Sequence, residues 1–178
     1  MTSQTFSAGA SIGWAIATGH LNPRMSRLSV ELELMSCLRR EGGILDYNTD
    51  MDRRVTPYEA GLGQFVDLGK SDFIGKAALA QADQRPRLHG LHCEGGVPAY
   101  GARVRAADET VGRVLSSAWS PLLACGIGYV QFYRSDAWPG TDVTVVQHDG
   151  TELEAVVVNL PFYDEEKRIP RGIDTSIP

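Results

Sequence analysis

The sequence predicts an α+β protein in which a part rich in helix and loop precedes a small antiparallel β-barrel. Three observations support this prediction. The 178 residues are 43% hydrophobic and 22% charged, which is enough apolar material for a globular core. Two helix signals, at residues 31–41 and 74–82, lie in the first half. Short strand candidates separated by turn signals fill the second half, and this spacing is typical of small closed β structures.

The first helix is predicted over residues 31–41, although residues 28–34 also alternate as a strand would. Helix-forming composition favours the helix, and Gly42-Gly43 ends it. Residues 1–25 carry several glycines and a proline, and are interpreted as a loose or partly helical lead-in.

Residues 44–73 are predicted to be mostly loop. Short elements are expected within them at three places: a strand near 44–47, a helix at 56–61 and a strand at 65–68. Asp50 and Asp52 are interpreted as residues that flank a turn. Asp72 is expected to cap the second helix, over about residues 74–82.

A polar stretch with a proline at residues 84–87 is a candidate domain boundary. Six strand candidates follow it, at 88–93, 102–106, 110–116, 125–133, 142–147 and 152–158. The best hairpin signal in the sequence is Asp149-Gly150, which stands between two valine-rich runs.

Composition and charge disfavour several classes of partner. The net charge of −5 and the pI of about 5.3 argue against a basic nucleic-acid surface. No apolar run approaches the roughly 20 residues that cross a bilayer, and no Lys or Arg precedes the apolar start as in a secretory signal. Three widely spaced cysteines without a CxxC motif fit a reducing compartment. The sequence therefore predicts a cytoplasmic protein with neither a nucleic-acid nor a membrane partner.

The motifs that usually carry chemistry are weak. His89 and His92 are three residues apart on a predicted strand, so their side chains face opposite sides and cannot share a metal. No nucleophile elbow and no phosphate-binding loop of the Walker type occurs. We therefore expect no metal site and assign no catalytic residue.

A series of segments in a fixed order is more specific than any one of them. The segments are LRREGG (38–43), Tyr47, DMD (50–52), TPYEAGLG (56–63), DFIGKAAL (72–79), VGRVLSSAWSP (111–121), IGYV (127–130) and PFYD (161–164). Together they resemble the C-terminal half of the glycine cleavage system T-protein family. These proteins are tetrahydrofolate-dependent aminomethyltransferases, and the family includes related folate-dependent demethylases. The resemblance covers roughly residues 38–168.

The resemblance implies a division into domains. The family has a folate-binding domain of mixed sheet and helices, followed by a C-terminal β-barrel. Residues 38–83 are then the tail of the folate-binding domain, and residues 86–165 are the barrel. Residues 1–37 do not match the family segment that should precede them, and residues 166–178 form a polar tail.

The resemblance also implies a folate site. Arg39-Arg40-Glu41 matches the family's R-x-E motif, whose glutamate holds the pterin ring; one carboxylate can accept both N–H groups of a pterin edge. The plain alternative is that Glu41 ends a helix. Arg39 and Arg40 are candidates to bind the glutamate tail of folate. The alternative is that their charges only complement the dipole at the helix end. Tyr47 is a candidate to line the ligand, or a core aromatic. Trp119 is a candidate ligand contact, although packing in the barrel is favoured.

The implied function is that of the C-terminal portion of a tetrahydrofolate-dependent, aminomethyltransferase-like one-carbon transferase. A folate-dependent demethylase, a non-catalytic folate-binding module and a barrel that has lost its ligand are the alternatives. The family's principal catalytic carboxylate belongs to an N-terminal half that this sequence does not contain, so a fragment, a split-gene product and a remnant all stay open. We expect the chain alone to bind folate weakly at best and to show no turnover. The expected partners are folate, a small one-carbon donor and the missing half or another chain.

Overall fold

The structure is a computed structural model, and it describes residues 34–169 and 171–175. Six strands make up most of the regular structure in this part of the chain. They are β1 (Leu88–Cys93), β2 (Arg103–Ala106), β3 (Glu109–Ser120), β4 (Cys125–Phe132), β5 (Asp142–Val146) and β6 (Glu152–Val158). Helical residues 34–41, α1, and a short helix α2 (Lys76–Gln81) precede them.

The six strands form a closed barrel in the order β1-β4-β3-β2-β5-β6, with β6 pairing back onto β1. Every neighbouring pair is antiparallel. This confirms the predicted small antiparallel barrel. The hairpin predicted at Asp149-Gly150 joins β5 to β6, and Gly150 has the positive φ of 86° that such a turn requires.

The barrel interior holds the main apolar core. Alternate residues of each strand face inward, as the period of a strand requires. The rings of Phe132 and Trp138 stack at 4.2 Å between centroids. The buried members of this core are Leu91, Cys93, Ala102, Val104, Val111, Val114, Val130, Phe132, Trp138, Val143, Val145, Leu153, Ala155 and Val157.

A second apolar cluster lies on the outer surface of the barrel. Leu88, Leu115 and Tyr129 come from β1, β3 and β4, and partly buried Leu45, Leu160 and Phe162 pack against them. The segments before and after the barrel therefore meet on one outer face of it.

The sequence predicts strand β3 over residues 110–116. The strand runs from Glu109 to Ser120 and is therefore five residues longer, one at its start and four at its end. A register shift between Val114 and Ser116 changes which residues face inward. The alternating pattern therefore breaks at this bulge, and the serine-rich end of the strand has no apolar alternation to reveal it.

Two short strands predicted before the barrel are absent. Residues 44–47 supply one isolated bridge, between Tyr47 and Met51. Residues 65–68 follow a 3-10 turn at Gly63–Phe65 and are loop. The closed barrel leaves no free strand edge to which either segment can pair.

The two helix predictions after residue 50 need correction. Residues 56–61 form turns rather than a helix; the Thr56 hydroxyl accepts the Glu59 N–H, and the Glu59 carboxylate accepts the Thr56 N–H. Helix α2 is shorter than predicted and is preceded by Gly75 with a φ of 92°, without a side-chain cap. The capping role expected for Asp72 is therefore wrong.

The predicted helix at 31–41 is confirmed over residues 34–41, and its first residues and the lead-in lie outside the described residues. No helix in the described part of the chain is long and apolar enough to span a membrane.

Candidate functional site

Helix α1 ends in a tight glycine turn that is packed against the chain's C-terminal segment. Gly43 has a φ of 67°, its N–H bonds the Arg40 carbonyl at 3.0 Å, and the Ile44 N–H bonds the Arg39 carbonyl at 2.9 Å. This pair of bonds is the Schellman arrangement. A Cβ at Gly43 would lie 2.9 Å from Cα of Pro161, so glycine is required here by conformation and by space.

Glu41 is the last residue of α1, and the barrel holds its side chain. The residue is 3% exposed, and its Oε1 accepts a hydrogen bond from the hydroxyl of Ser120, the last residue of β3. The Ser120 hydroxyl in turn accepts the Leu123 N–H at 3.1 Å. The carboxylate thus lies at the junction of the helix with one end of the barrel.

The Glu41 carboxylate has no ion-pair partner among the described residues. Burial, and after it the charge of Glu41, raise the pKa of the Cys37 thiol to about 11. Burial and then the charges of Glu41 and Asp164 raise the pKa of Tyr163. A buried carboxylate that takes part in no ion pair is uncommon, because buried charges are usually paired. The arrangement suits a ligand that offers N–H donors.

Arg39 is engaged within the protein. Its Nη1 lies 2.5 Å from Oδ2 of Asp50 and donates to the Ile44 carbonyl at 2.7 Å. The Asp50 side chain is fully buried; its Oδ1 accepts the Ser116 hydroxyl at 2.6 Å, and its Oδ2 accepts the Asp46 N–H at 2.9 Å. Interpreting Asp50 as only a turn residue missed this buried network, which ties the loop after α1 to β3.

Arg40 turns back along its own helix. Its Nη1 donates to the carbonyl of Ser36 at 2.9 Å and also to the Ser36 hydroxyl. Its Nε is buried without a hydrogen-bond partner, and burial, followed by the Arg39 charge, lowers its pKa. The Arg40 carbonyl accepts the hydroxyl of Tyr129 from β4 at 3.0 Å, so the barrel also satisfies the helix end.

Tyr47 lies in the loop after α1 and is 50% exposed, so the core alternative for it is wrong. It lines an open depression of about 400 Å³. The other lining residues are Asn48, Asp52, Arg53 and Arg54. Among the described residues no hydrogen bond or ring contact connects Tyr47 with Glu41, so the structure does not bring these two candidates into direct contact.

The Trp119 side chain is 49% exposed and belongs to neither apolar cluster, so the favoured packing role is wrong. The Trp119 carbonyl accepts a hydrogen bond at 3.1 Å from the thiol of Cys37, which lies one helical turn before Glu41. The backbone of Trp119, rather than its side chain, therefore contacts the helix that carries Glu41.

His89 and His92 face opposite sides of β1, as expected. The His89 ring lies 5.9 Å from Phe132 of the barrel core, whereas the His92 ring stacks on Phe162 outside the barrel at 5.4 Å. In the described ranges no group of three His, Cys, Asp or Glu side chains is placed to hold a metal ion.

The sequence interpretation missed Ser120, Asp50, Ser116 and Tyr129 as parts of this junction. Ser116 and Ser120 are small polar residues on a strand. Serines on a strand are only a weak indication that polar partners from another segment pack against it. Tyr129 follows two glycines of β4, and the sequence pattern indicates only that it belongs to a glycine-rich strand.

Comparison with known proteins gives one family for the barrel. Residues 87–164 match the family described as the glycine cleavage T-protein C-terminal barrel domain. The chain is 40% identical over 144 residues to an aminomethyltransferase of Streptomyces coelicolor, covering 75% of this chain and 39% of that protein. It is 40% identical over 136 residues to a probable aminomethyltransferase of Natronomonas pharaonis, covering 71% of this chain and 37% of that protein.

A solved structure gives the same result. The crystal structure of glycine cleavage system aminomethyltransferase T from Bartonella henselae superposes with a TM-score of 0.62 at 26% identity, over 71% of this chain and 37% of that one. The chain therefore spans well under half the length of these relatives. The similarity extends beyond the residues of the barrel match, because 75% of this chain is covered by the Streptomyces relative.

Proposed function

The barrel of this chain belongs to the glycine cleavage T-protein C-terminal barrel family, and from this premise we propose that the chain is the C-terminal portion of a tetrahydrofolate-dependent, aminomethyltransferase-like one-carbon transferase. In this proposal Glu41 holds the pterin ring of the folate. The further partners are a small one-carbon donor and the part of such a transferase that carries the donor pocket, and the setting is the cytoplasm.

One observation carries the assignment to Glu41: its carboxylate is buried and has no ion-pair partner in the described chain, and Oε1 accepts the hydroxyl of the neutral Ser120. A carboxylate has about four acceptor positions, and Ser120 uses one of them. A pterin edge presents a ring N–H and an amino N–H side by side, which matches the remaining acceptors as a bidentate pair.

The burial of Glu41 limits the affinity of this chain for folate. At 3% exposure the carboxylate is not open to a ring the size of a pterin, so the groups around the junction must move aside before binding. Part of the interaction energy is spent on that movement. We therefore expect this chain by itself to bind tetrahydrofolate weakly.

A non-catalytic folate-binding module is the second candidate. Glu41 and Asp50 are the buried carboxylates of the described residues, and Asp50 is committed to Arg39, Ser116 and the Asp46 N–H. Within the described part of the chain, no second buried carboxylate is then available beside Glu41 to act on a reacting nitrogen. This observation favours ligand binding without turnover by the chain itself.

The test is a titration of the full chain with tetrahydrofolate, followed by ligand-observed NMR or calorimetry. Glu41→Gln keeps the size of the side chain but removes the charge and one acceptor. The loss of a charged hydrogen-bond pair is worth roughly 1.5–3 kcal/mol, so we expect binding to weaken by at least about tenfold.

Glu154→Gln is the matched control, because Glu154 is an exposed glutamate on β6 and is expected to leave affinity unchanged. Equal affinity in wild type and Glu41→Gln would remove Glu41 from the site. Turnover of an aminomethyl or methyl donor by the chain, abolished by changing one of its own carboxylates, would overturn the module alternative and establish catalysis.

A further inference from the structure

We propose that Ser120 is a positioning residue that orients the Glu41 carboxylate for its ligand, so that the barrel takes part in the ligand site through a single side chain. This inference rests on the proposed function of Glu41. It concerns a residue at the end of β3 that contacts the carboxylate rather than the ligand.

The direction of the Ser120 hydroxyl is fixed by two hydrogen bonds. A hydroxyl has one proton to donate and two lone pairs to accept with. The Leu123 N–H, from the turn after β3, donates to the Ser120 oxygen at 3.1 Å, and the hydroxyl proton is directed to Oε1 of Glu41. Ser120 is fully buried, so water does not compete for either bond.

The fixed hydroxyl limits the rotation of the carboxylate. A glutamate side chain that is free to rotate loses that freedom when it binds a planar ligand, and the loss weakens binding. Because Ser120 already holds Oε1, Glu41 presents its remaining acceptors in one orientation before the ligand arrives. Pre-organisation of this kind requires a rigid support, and the paired strand end supplies it.

The neighbouring serine offers a matched comparison. Ser117 lies on the same strand and its hydroxyl donates to the Pro98 carbonyl at 2.5 Å, without contact to Glu41. Removing the Ser117 hydroxyl costs one hydrogen bond, whereas removing the Ser120 hydroxyl costs two, one of them to Glu41. Only the Ser120 hydroxyl is expected to affect the ligand.

The experiment is a double-mutant cycle with tetrahydrofolate on the full chain, using Ser120→Ala, Glu41→Gln and the double variant. We expect Ser120→Ala to weaken binding by about 3- to 10-fold, the effect of one hydrogen bond. In the Glu41→Gln background the same change should weaken binding less than about twofold, because the two residues act as one unit. Ser117→Ala should leave affinity unchanged, and Ser120→Thr, which keeps the hydroxyl, should restore most of it.

The outcomes separate this inference from the proposed function. If Glu41→Gln weakens binding but Ser120→Ala does not, or if the two effects add fully, Ser120 has no positioning role and the inference is wrong. If Glu41→Gln has no effect, or the wild-type chain does not bind at millimolar ligand, the proposed function fails instead.

A second measurement needs no ligand and decides the positioning role in every case. The pH dependence of alkylation of Cys37, followed by peptide mass spectrometry, reports the thiol pKa of about 11 that Glu41 helps to raise. Glu41→Gln should lower this pKa, since it removes the negative charge. Ser120→Ala should also shift this pKa, since the released carboxylate changes its distance from the thiol; an unchanged value in Ser120→Ala would show that Ser120 does not hold the carboxylate.

Discussion

The barrel and the segment that precedes it are stabilised in different ways. The barrel closes six strands around an apolar interior that includes Phe132, Trp138 and a set of valines. The segment of residues 34–62 has one helix, and beyond it turns. Leu45 of this segment joins the outer apolar cluster, and the rest of its attachment to the barrel is by buried polar contacts: Asp50 with Ser116, Glu41 with Ser120, and helix carbonyls with Tyr129.

This difference separates stability from function in the molecule. Apolar burial depends on volume and tolerates no polar partner, so the barrel interior offers little to a ligand. Buried polar contacts need matched donors and acceptors, and a ligand can supply one member of such a set. The candidate site therefore lies where the polar segment meets the outside of the barrel, and not within the barrel.

The largest expected effect comes from the barrel core. Phe132→Ala removes a fully buried ring that stacks on Trp138, and losses of this kind cost about 3–5 kcal/mol. Urea denaturation followed by circular dichroism should show the whole described fold losing stability together. Tyr133→Ala, at the exposed next position, should change stability by less than about 0.5 kcal/mol. Similar losses in both variants would contradict an apolar core at Phe132.

A smaller and more local effect is expected at Asp50. Asp50→Ala leaves Arg39 partly buried without its partner, which costs about 3 kcal/mol. Hydrogen exchange should show residues 39–51 losing protection while the strands keep theirs. Asp52→Ala, which removes the partly exposed partner of Arg54, is the control and should leave exchange at residues 39–51 unchanged. Loss of protection throughout the barrel would show that the two regions are not separable.

The smallest expected effect concerns Gly43 at the end of α1, where an added side chain would meet both backbone strain and a contact with Pro161. Gly43 and Gly61 both have positive φ, of 67° and 74°, but only Gly43 has Pro161 within contact of an added Cβ. Gly61→Ala should cost about 1 kcal/mol from backbone strain alone, and Gly43→Ala should cost more because Pro161 must also shift. The difference in free energy of unfolding measures how firmly the C-terminal segment holds the helix end. Equal costs would mean that Pro161 yields without resistance.

The same difference between the two regions decided what the sequence could predict. The barrel was predictable, because strand alternation and turn residues such as Asp149-Gly150 are local signals. The four extra residues at the end of β3 were not, because the bulge at Val114 and Ser116 interrupts the alternation. The strands expected at 44–47 and 65–68 failed because strand formation depends on a free edge, which is a property of the closed sheet.

The polar junction was predictable only in part. The R-x-E motif indicated Glu41, and the double glycine indicated where its helix ends. Ser120 lies 79 residues from Glu41 in the sequence, and no local pattern connects the two. Asp50 is a residue type common in turns, and it does lie in a turn. Its burial against Ser116 follows only from the packing of the loop on β3, which the sequence does not reveal.

The most direct test of the account is to map the backbone amide shifts of the full chain during titration with tetrahydrofolate. If the buried carboxylate at the junction of α1 with the barrel is the pterin contact, the largest shifts will fall at residues 40–43 and 119–123, which carry Glu41, Ser120 and their hydrogen-bond partners. The amides of residues 47–54, around the open depression beside Tyr47, will shift less. Shifts that are largest at 47–54, or a titration that moves no amide near Glu41, would contradict the account.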